Sequence, residues 1–194
     1  MDTLGKHAVV IGGSIGGLLA ARALSDSYEI VTVIERDSLP TGDEGRRAVP
    51  QGRHAHALIA GGQRALEELL PGFRDDLIDD GAATVSPFSD VDFLIRGHEL
   101  ARVALGTTTI TASRPFIEGH VRRRVLGMQN ICLRQRCEAL GLTATSDRTR
   151  VTGVRVLGRE PQLPSSAWSA DRQADPARFA HGNPAGDRAV RTGE

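Results

Sequence analysis

"VVIGGSIGGLLAARAL", residues 9–24, decides the fold. Apolar residues up to Ile11 run into Gly12-Gly13-Ser14, and apolar positions then recur at Ile15, Leu18, Leu19 and Ala23, near the helical period. Arg22 interrupts that run and is expected to face outward. Upstream, "HAVVI" (7–11) reads as a short buried strand, and downstream the β-branched run "EIVTVIE" (29–35) reads as a second one. Strand, glycine turn, helix and strand in so short a span make one βαβ unit. Such a crossover implies a parallel sheet and an α/β fold.

The turn nearly spells G-x-G-x-x-G. Gly12 and Gly17 fill the first and third glycine positions, and Ser14 stands at the second. The first glycine makes the tight turn, the second admits a pyrophosphate to the backbone, and the third lets helix and strand pack closely. The helix N-terminus then offers unpaired N–H groups and partial positive charge to the phosphates. Ser14 is small and adds a hydroxyl, so the site stays open. Glu35 ends the second strand where an acid is needed to bind a ribose diol. Its carboxylate would repel the 2′-phosphate of NADP, so FAD or NAD is expected. Arg36 beside it is expected over an adenine or in solvent. The competing reading is a plain glycine-rich turn with a solvated glutamate.

Residues 36–56 form a loop rich in Gly, Pro and Arg, with no support for a regular element. "GGQRALEELLPG" (61–72) reads as an amphipathic helix stopped by Pro71-Gly72, and "FRDDLIDDG" as a further turn or two. From 82 to 112, short alternating runs of Thr, Val, Phe and Ile suggest antiparallel strands. "SRPFIEGHVRRRVLG" (113–127) restores helical spacing, with Ile117, Val121 and Val125 on one face. His120 reads as a surface or boundary residue. Arg122, Arg123 and Arg124 read most simply as a solvated face, with a phosphate role for Arg122 as the alternative. "ICLRQRCEALGLTA" and "RVTGVRVL" read as strands joined by a polar turn. Residues 158–194 have few large apolar side chains and no periodicity, and a disordered tail is expected.

The 194 residues carry 24 basic and 24 acidic side chains. That balance argues against a nucleic-acid or acidic-membrane surface. Lys6 followed by Ala8–Ala21 imitates a signal-peptide core, but the run is short of the roughly 20 apolar residues of a membrane span. The glycines at motif spacing favour a buried strand–turn–helix, and a cytoplasmic location is expected. Cys132 and Cys137, five positions apart on an extended strand, would point to opposite faces, so no disulfide is expected. His54 and His56 would share a face of an extended loop but lack a third ligand, so no metal site is expected.

With "VVIGGSIGGLLAARAL", "VIERD", "RRAVPQGRHAHAL" and "SRPFIEGHVRRRVLG" in this order, the chain resembles the N-terminal portion of the FAD-dependent monooxygenases of the para-hydroxybenzoate hydroxylase superfamily. The nearest branch looks like the actinobacterial hydroxylases and epoxidases of aromatic or polyketide substrates. The resemblance implies an FAD-binding domain over 1–157, with residues 82–112 as partial strands of a substrate domain. It implies that Gly12, Ser14 and Gly17 face the pyrophosphate and that Glu35 binds the adenosine ribose. Arg47, Gln51 and Arg53 would lie along the flavin side, and Arg114 would reach the phosphate and ribityl region. Cys137 would touch the adenine through its backbone. It also implies NAD(P)H as electron donor and no side-chain acid or base, hence no catalytic residue to name. Two later family motifs, D-G and G-D-A, have no counterpart in the right place; Asp80-Gly81 and Gly186-Asp187 have other neighbours. A truncated or frameshifted chain is therefore expected. The readings beside it are a non-catalytic FAD-binding remnant and an NAD-binding module of another family.

Overall fold

The computed structural model describes residues 3–42, 55–158 and, for the backbone alone, 187–191. In chain order the elements are β1 (Gly5–Ile11), α1 (Ile15–Ser25), β2 (Tyr28–Ile34), β3 (Ala55–Leu58), α2 (Ala60–Leu69), α3 (Phe73–Asp79), β4 (Ala83–Val85), β5 (Leu94–Ile95), β6 (His98–Glu99), β7 (Thr109–Ser113), α4 (Arg114–Leu126), β8 (Ile131–Arg134), β9 (Cys137–Ala144), β10 (Val151–Gly158) and β11 (Asp187–Arg191). They group into two compact units, one from residues 1–39 with 125–194, the other from Pro40–Arg124. Helices α2 and α3 thus group with residues 82–112 rather than with the first βαβ unit.

The first unit is built on a parallel sheet in the order β1-β2-β8. This is the α/β class that the strand–turn–helix–strand pattern predicts. Strand β2 is central, and Val31, Val33 and Ile34 are fully buried in it, as a strand covered on both faces requires. The buried His7 ring bonds the Thr32 hydroxyl across β1 and β2 at 2.9 Å, so the one polar pair within these strands is mutually satisfied. Helix α1 buries Leu18, Ala21 and Ser25. Ala23, expected on that stripe, is exposed, because the buried face runs at i, i+3 and i+7 from Leu18. Arg22 is not fully outward either. Its guanidinium folds back onto Asp26 at 2.7 Å and leaves the side chain 17% exposed.

The segment expected as one strand over 131–144 is two. Strand β8 joins the parallel sheet, whereas β9 pairs antiparallel with β10. The break falls at Gln135-Arg136, where Arg136 takes φ 53°, a left-handed conformation that ends one pleat and turns the chain. Cys132 and Cys137 therefore lie on different strands, and both are free thiols. Val154 and Val156 of β10 form a small core with Ile34, joined by Val9, Cys137 and Ala139. Within the expected tail, residues 187–191 form β11, which pairs antiparallel with β10. The edge of β10 would otherwise present unpaired backbone groups, and β11 closes it.

In the second unit, β3, β7 and β4 form an antiparallel sheet with β7 central, and β5 and β6 form a small hairpin. The antiparallel strands expected over 82–112 are present, though short. Leu94, Ile95, Val103 and Leu105 stay exposed there. Helix α4 buries Ile117, Val121 and Val125 as its spacing predicts. Its polar side corrects two expectations. His120 is buried, packed at a tilt of 40° against Phe116 with ring centroids 4.3 Å apart, and its Nε2 lies 2.8 Å from the Asp80 carboxylate. Arg122 is buried as well, ion-paired with the buried Glu118 at 3.6 Å. Only Arg123 and Arg124 fit a solvent-facing description, and they reach Asp80 and Asp76. Amphipathic spacing places apolar residues but does not reveal that a charged helix face has acidic partners on another helix.

Candidate functional site: the glycine turn and Glu35

The site grows from the end of β1. Gly12 takes φ 102°, open to glycine and strained for other residues, and its N–H donates to the Ile34 carbonyl at 2.8 Å. Ser14 is the N-cap of α1, with extended backbone and a carbonyl that accepts from Leu18 N at 2.9 Å. Its side chain makes no capping hydrogen bond, and the first turn of α1 carries no acidic residue. The positive end of the helix dipole thus has no carboxylate of its own first turn to neutralise it. Gly17 faces the turn so closely that a Cβ there would lie 1.9 Å from the Gly12 carbonyl oxygen. This is the helix–strand packing role expected of the third glycine. Gly16, one residue earlier, has nothing within 4 Å of a Cβ position.

Glu35 stands directly beside this turn. Its side chain is buried, and Oε2 accepts from Gly13 N at 2.7 Å while Oε1 accepts from Asp37 N at 2.9 Å. A Cβ on Gly13 would meet Glu35 Oε2 and Leu39 Cδ1, both at 3.2 Å, so glycine at 13 lets the carboxylate approach the turn. The backbone of Glu35 is equally fixed. Its N–H donates to Arg134 O at 2.8 Å, and its carbonyl accepts from Cys137 N at 2.9 Å. Arg136 N donates to Asp37 O at 3.2 Å, and the Gln135 amide oxygen accepts from Leu39 N at 2.5 Å. The β8–β9 corner and the end of β2 are therefore zipped together, with the carboxylate held at the lip of the glycine turn.

Gly12, Ser14, Gly17, Glu35 and Cys137 thus converge within the first unit. Cys137 meets Glu35 through its backbone N–H. Arg36 is the solvent-facing member, with a side chain 64% exposed and Nε 3.9 Å from Asp37. Arg47, Gln51, Arg53 and His54 lie outside the described residues. Arg114 opens α4 in the second unit, with Nε 4.0 Å from Glu118. The sequence alone does not single out Asp37, Gln135 or Arg136, since their part is played through backbone groups and a loop contact. Glu118 and Arg122 carry a weak signal, opposite charges four residues apart on a helix.

No protein-family model matches the chain. It is 42% identical over 171 residues to Protein Rv3254 of Mycobacterium tuberculosis, a match covering 86% of this chain and 35% of that protein. The chain thus spans about a third of the length of that curated relative. Among solved structures it is similar to p-nitrophenol 4-monooxygenase PnpA from Pseudomonas putida DLL-E4, with TM-score 0.58, 19% identity, and coverage of 98% of this chain and 40% of that one. It is also similar to 2-methyl-3-hydroxypyridine-5-carboxylic acid oxygenase, with TM-score 0.54, 20% identity, and coverage of 80% and 38%. At this level of identity the likeness shows a shared fold.

Proposed function

We propose that the chain binds FAD and is the cofactor-binding part of a flavin-dependent monooxygenase for a small aromatic or polyketide-type substrate, with NAD(P)H as electron donor. The observation that carries the reading is the buried Glu35 carboxylate set beside a turn where the φ of Gly12 and the close approach at Gly17 call for glycine and Gly13 leaves room for the acid. A bland glycine turn has no need of a buried acid at its lip. The residues present fit the adenosine-pyrophosphate half of FAD: a helix N-terminus with no acidic residue in its own first turn for the phosphates and an acceptor carboxylate for ribose hydroxyls.

Bound FAD supplies the chemistry of accepting hydride from NAD(P)H and passing one atom of O₂ to the substrate, the other leaving as water. The chain supplies binding and orientation. Glu35 accepts the ribose hydroxyls, the first amides of α1 face the pyrophosphate beside Ser14, and Cys137 lines the adenine with its backbone. By the resemblance, Arg47, Gln51, Arg53 and Arg114 serve the flavin side. Both solved relatives named above are oxygenases by name, which supports the reaction class. Since the chain spans only part of each, the oxygenation is proposed for a longer polypeptide of which this is the FAD-binding portion.

The purified chain is expected to be yellow, with flavin absorbance, and to bind FAD more tightly than NAD and NAD more tightly than NADP in calorimetric titrations. Tighter binding of NAD than of FAD would replace the reading with an NAD-binding module. A colourless chain that binds neither nucleotide would leave a non-binding remnant.

A further inference from the structure

Within the first unit, strand β2 ends at Ile34, yet hydrogen bonds to the β8–β9 corner continue as far as Leu39. Glu35 bonds Arg134 O and Cys137 N through its backbone, and Asp37 O accepts from Arg136 N at 3.2 Å. At Arg136 the left-handed φ of 53° turns the backbone of the corner. The Leu39 N–H is served there by a side chain, since the Gln135 amide oxygen accepts it at 2.5 Å. A backbone N–H dictates which end of an amide faces it, because only the oxygen can accept. Leu39 is buried, so its N–H needs such a partner, whereas Gln135 itself is exposed. The side chain of Gln135 thus stands where the next carbonyl of a longer strand would.

We propose that Gln135 is a positioning residue: by holding the Asp37–Leu39 backbone it sets the Glu35 carboxylate for the cis-diol of a ribose. The last clause rests on the FAD reading; the hold on Glu35 does not. The held stretch meets the carboxylate in two ways. Asp37 N donates to Glu35 Oε1 at 2.9 Å, and Leu39 Cδ1 stands with Glu35 Oε2 against Gly13, each 3.2 Å from a Cβ placed there. Oε2 in turn accepts from Gly13 N at 2.7 Å. A shift of the stretch therefore reaches both oxygens. Two vicinal hydroxyls are gripped well only by a carboxylate held in one orientation.

Amide hydrogen exchange of the full chain without nucleotide, read residue by residue by NMR, tests the hold. Gln135→Met keeps the length of the side chain and removes the acceptor, while Gln135→Glu keeps an acceptor oxygen at the same reach. In Gln135→Met, exchange is expected to rise about tenfold or more at Leu39 and roughly threefold to tenfold at Asp37 and Gly13. Val31 and Val33, buried in β2, are the internal reference. Gln135→Glu is expected to bring all three amides back to within about twofold of wild type. No rise, or a rise at Leu39 alone, overturns the proposal, because the contact would then end at its own donor. An equal rise at Val31 and Val33 overturns it too, since Gln135 would then support the whole sheet. So does failure of both Gln135→Met and Gln135→Ala to fold. The ribose clause is read by titrating FAD and its 2′-deoxyadenosine analogue by flavin fluorescence. Wild type is expected to prefer FAD by roughly tenfold and Gln135→Met by no more than about threefold. An equal loss of affinity for the two ligands overturns that clause. Wild type that binds neither while the exchange contrast persists would sink the FAD reading and leave the hold on Glu35 standing.

Discussion

The substitutions Gly17→Ala and Gly16→Ala add the same methyl group one residue apart, and their effects are expected to have opposite signs. At Gly17 the new carbon would sit 1.9 Å from Gly12 O and 2.9 Å from Gly12 C, both backbone atoms that no rotamer change can move. To recover ordinary contact, α1 must retreat from the turn by about an ångström, opening a close-packed seam. Overpacking of this kind costs about 1–3 kcal/mol, which in a chain of this size lowers Tm by about 3–10 °C. At Gly16 a Cβ meets nothing within 4 Å, and the position is exposed in the first turn of α1. Alanine there restricts the unfolded chain and favours helix, for a gain of about 0.4–1 kcal/mol. Differential scanning fluorimetry without nucleotide reads both. If the two variants shift Tm in the same direction, the account of the glycine turn as a steric contact between Gly17 and Gly12 is wrong.

Glu35→Ala removes the acceptor of two backbone N–H groups and is expected to cost about 1.5–3 kcal/mol in urea unfolding, with Glu35→Gln recovering part of it. In the same variants FAD affinity by calorimetry should fall at least tenfold for Ala and less for Gln; unchanged affinity would remove the carboxylate from the site. Glu67 supports the junction of α2 and α3 by accepting from the backbone N–H groups of Gly72 and Arg74, which hold its carboxyl below the ordinary glutamate value of 4.5. A depressed carboxyl stabilises the fold above its unfolded value, and that contribution disappears as pH falls through the folded value. Unfolding curves across pH 6 to 3 should therefore show a loss below about 4.5 that Glu67→Gln flattens. Arg136→Gly should be neutral or stabilising by up to about 1 kcal/mol, because glycine accepts the left-handed φ of 53° freely, whereas Arg136→Val should destabilise; equal Tm values for the two would refute the strain argument.

The parallel core was legible because its signals are local. Glycines at fixed spacing, a β-branched run and an acid at its end all lie between residues 7 and 35, and the structure assembles them as their chemistry requires. The burial of His120 and Arg122 was not legible, since it depends on Asp80 and on the Pro40 carbonyl, brought in by tertiary folding. The split of 131–144 into two strands hid for a related reason. Nothing in "RQRC" marks Arg136 as left-handed until Asp37 is seen to accept its N–H. The β11 pairing was hidden as well, because "DRAVR" gains its strand from the open edge of β10 rather than from its own pattern.

The zipping of β2 to the β8–β9 corner has a consequence for how the molecule is made. Glu35 is synthesised early, yet the groups that lock its N–H and carbonyl, Arg134 and Cys137, arrive only after the whole second unit has been translated. A nascent chain halted before Cys137 leaves the ribosome already has the partners that set the turn against the acid, through β1–β2 pairing and the Gly13–Glu35 bond, but lacks those that fix the Glu35 backbone on its other side. The Glu35 backbone is therefore fixed on both sides only when this long-range pair closes, after the second unit has been made.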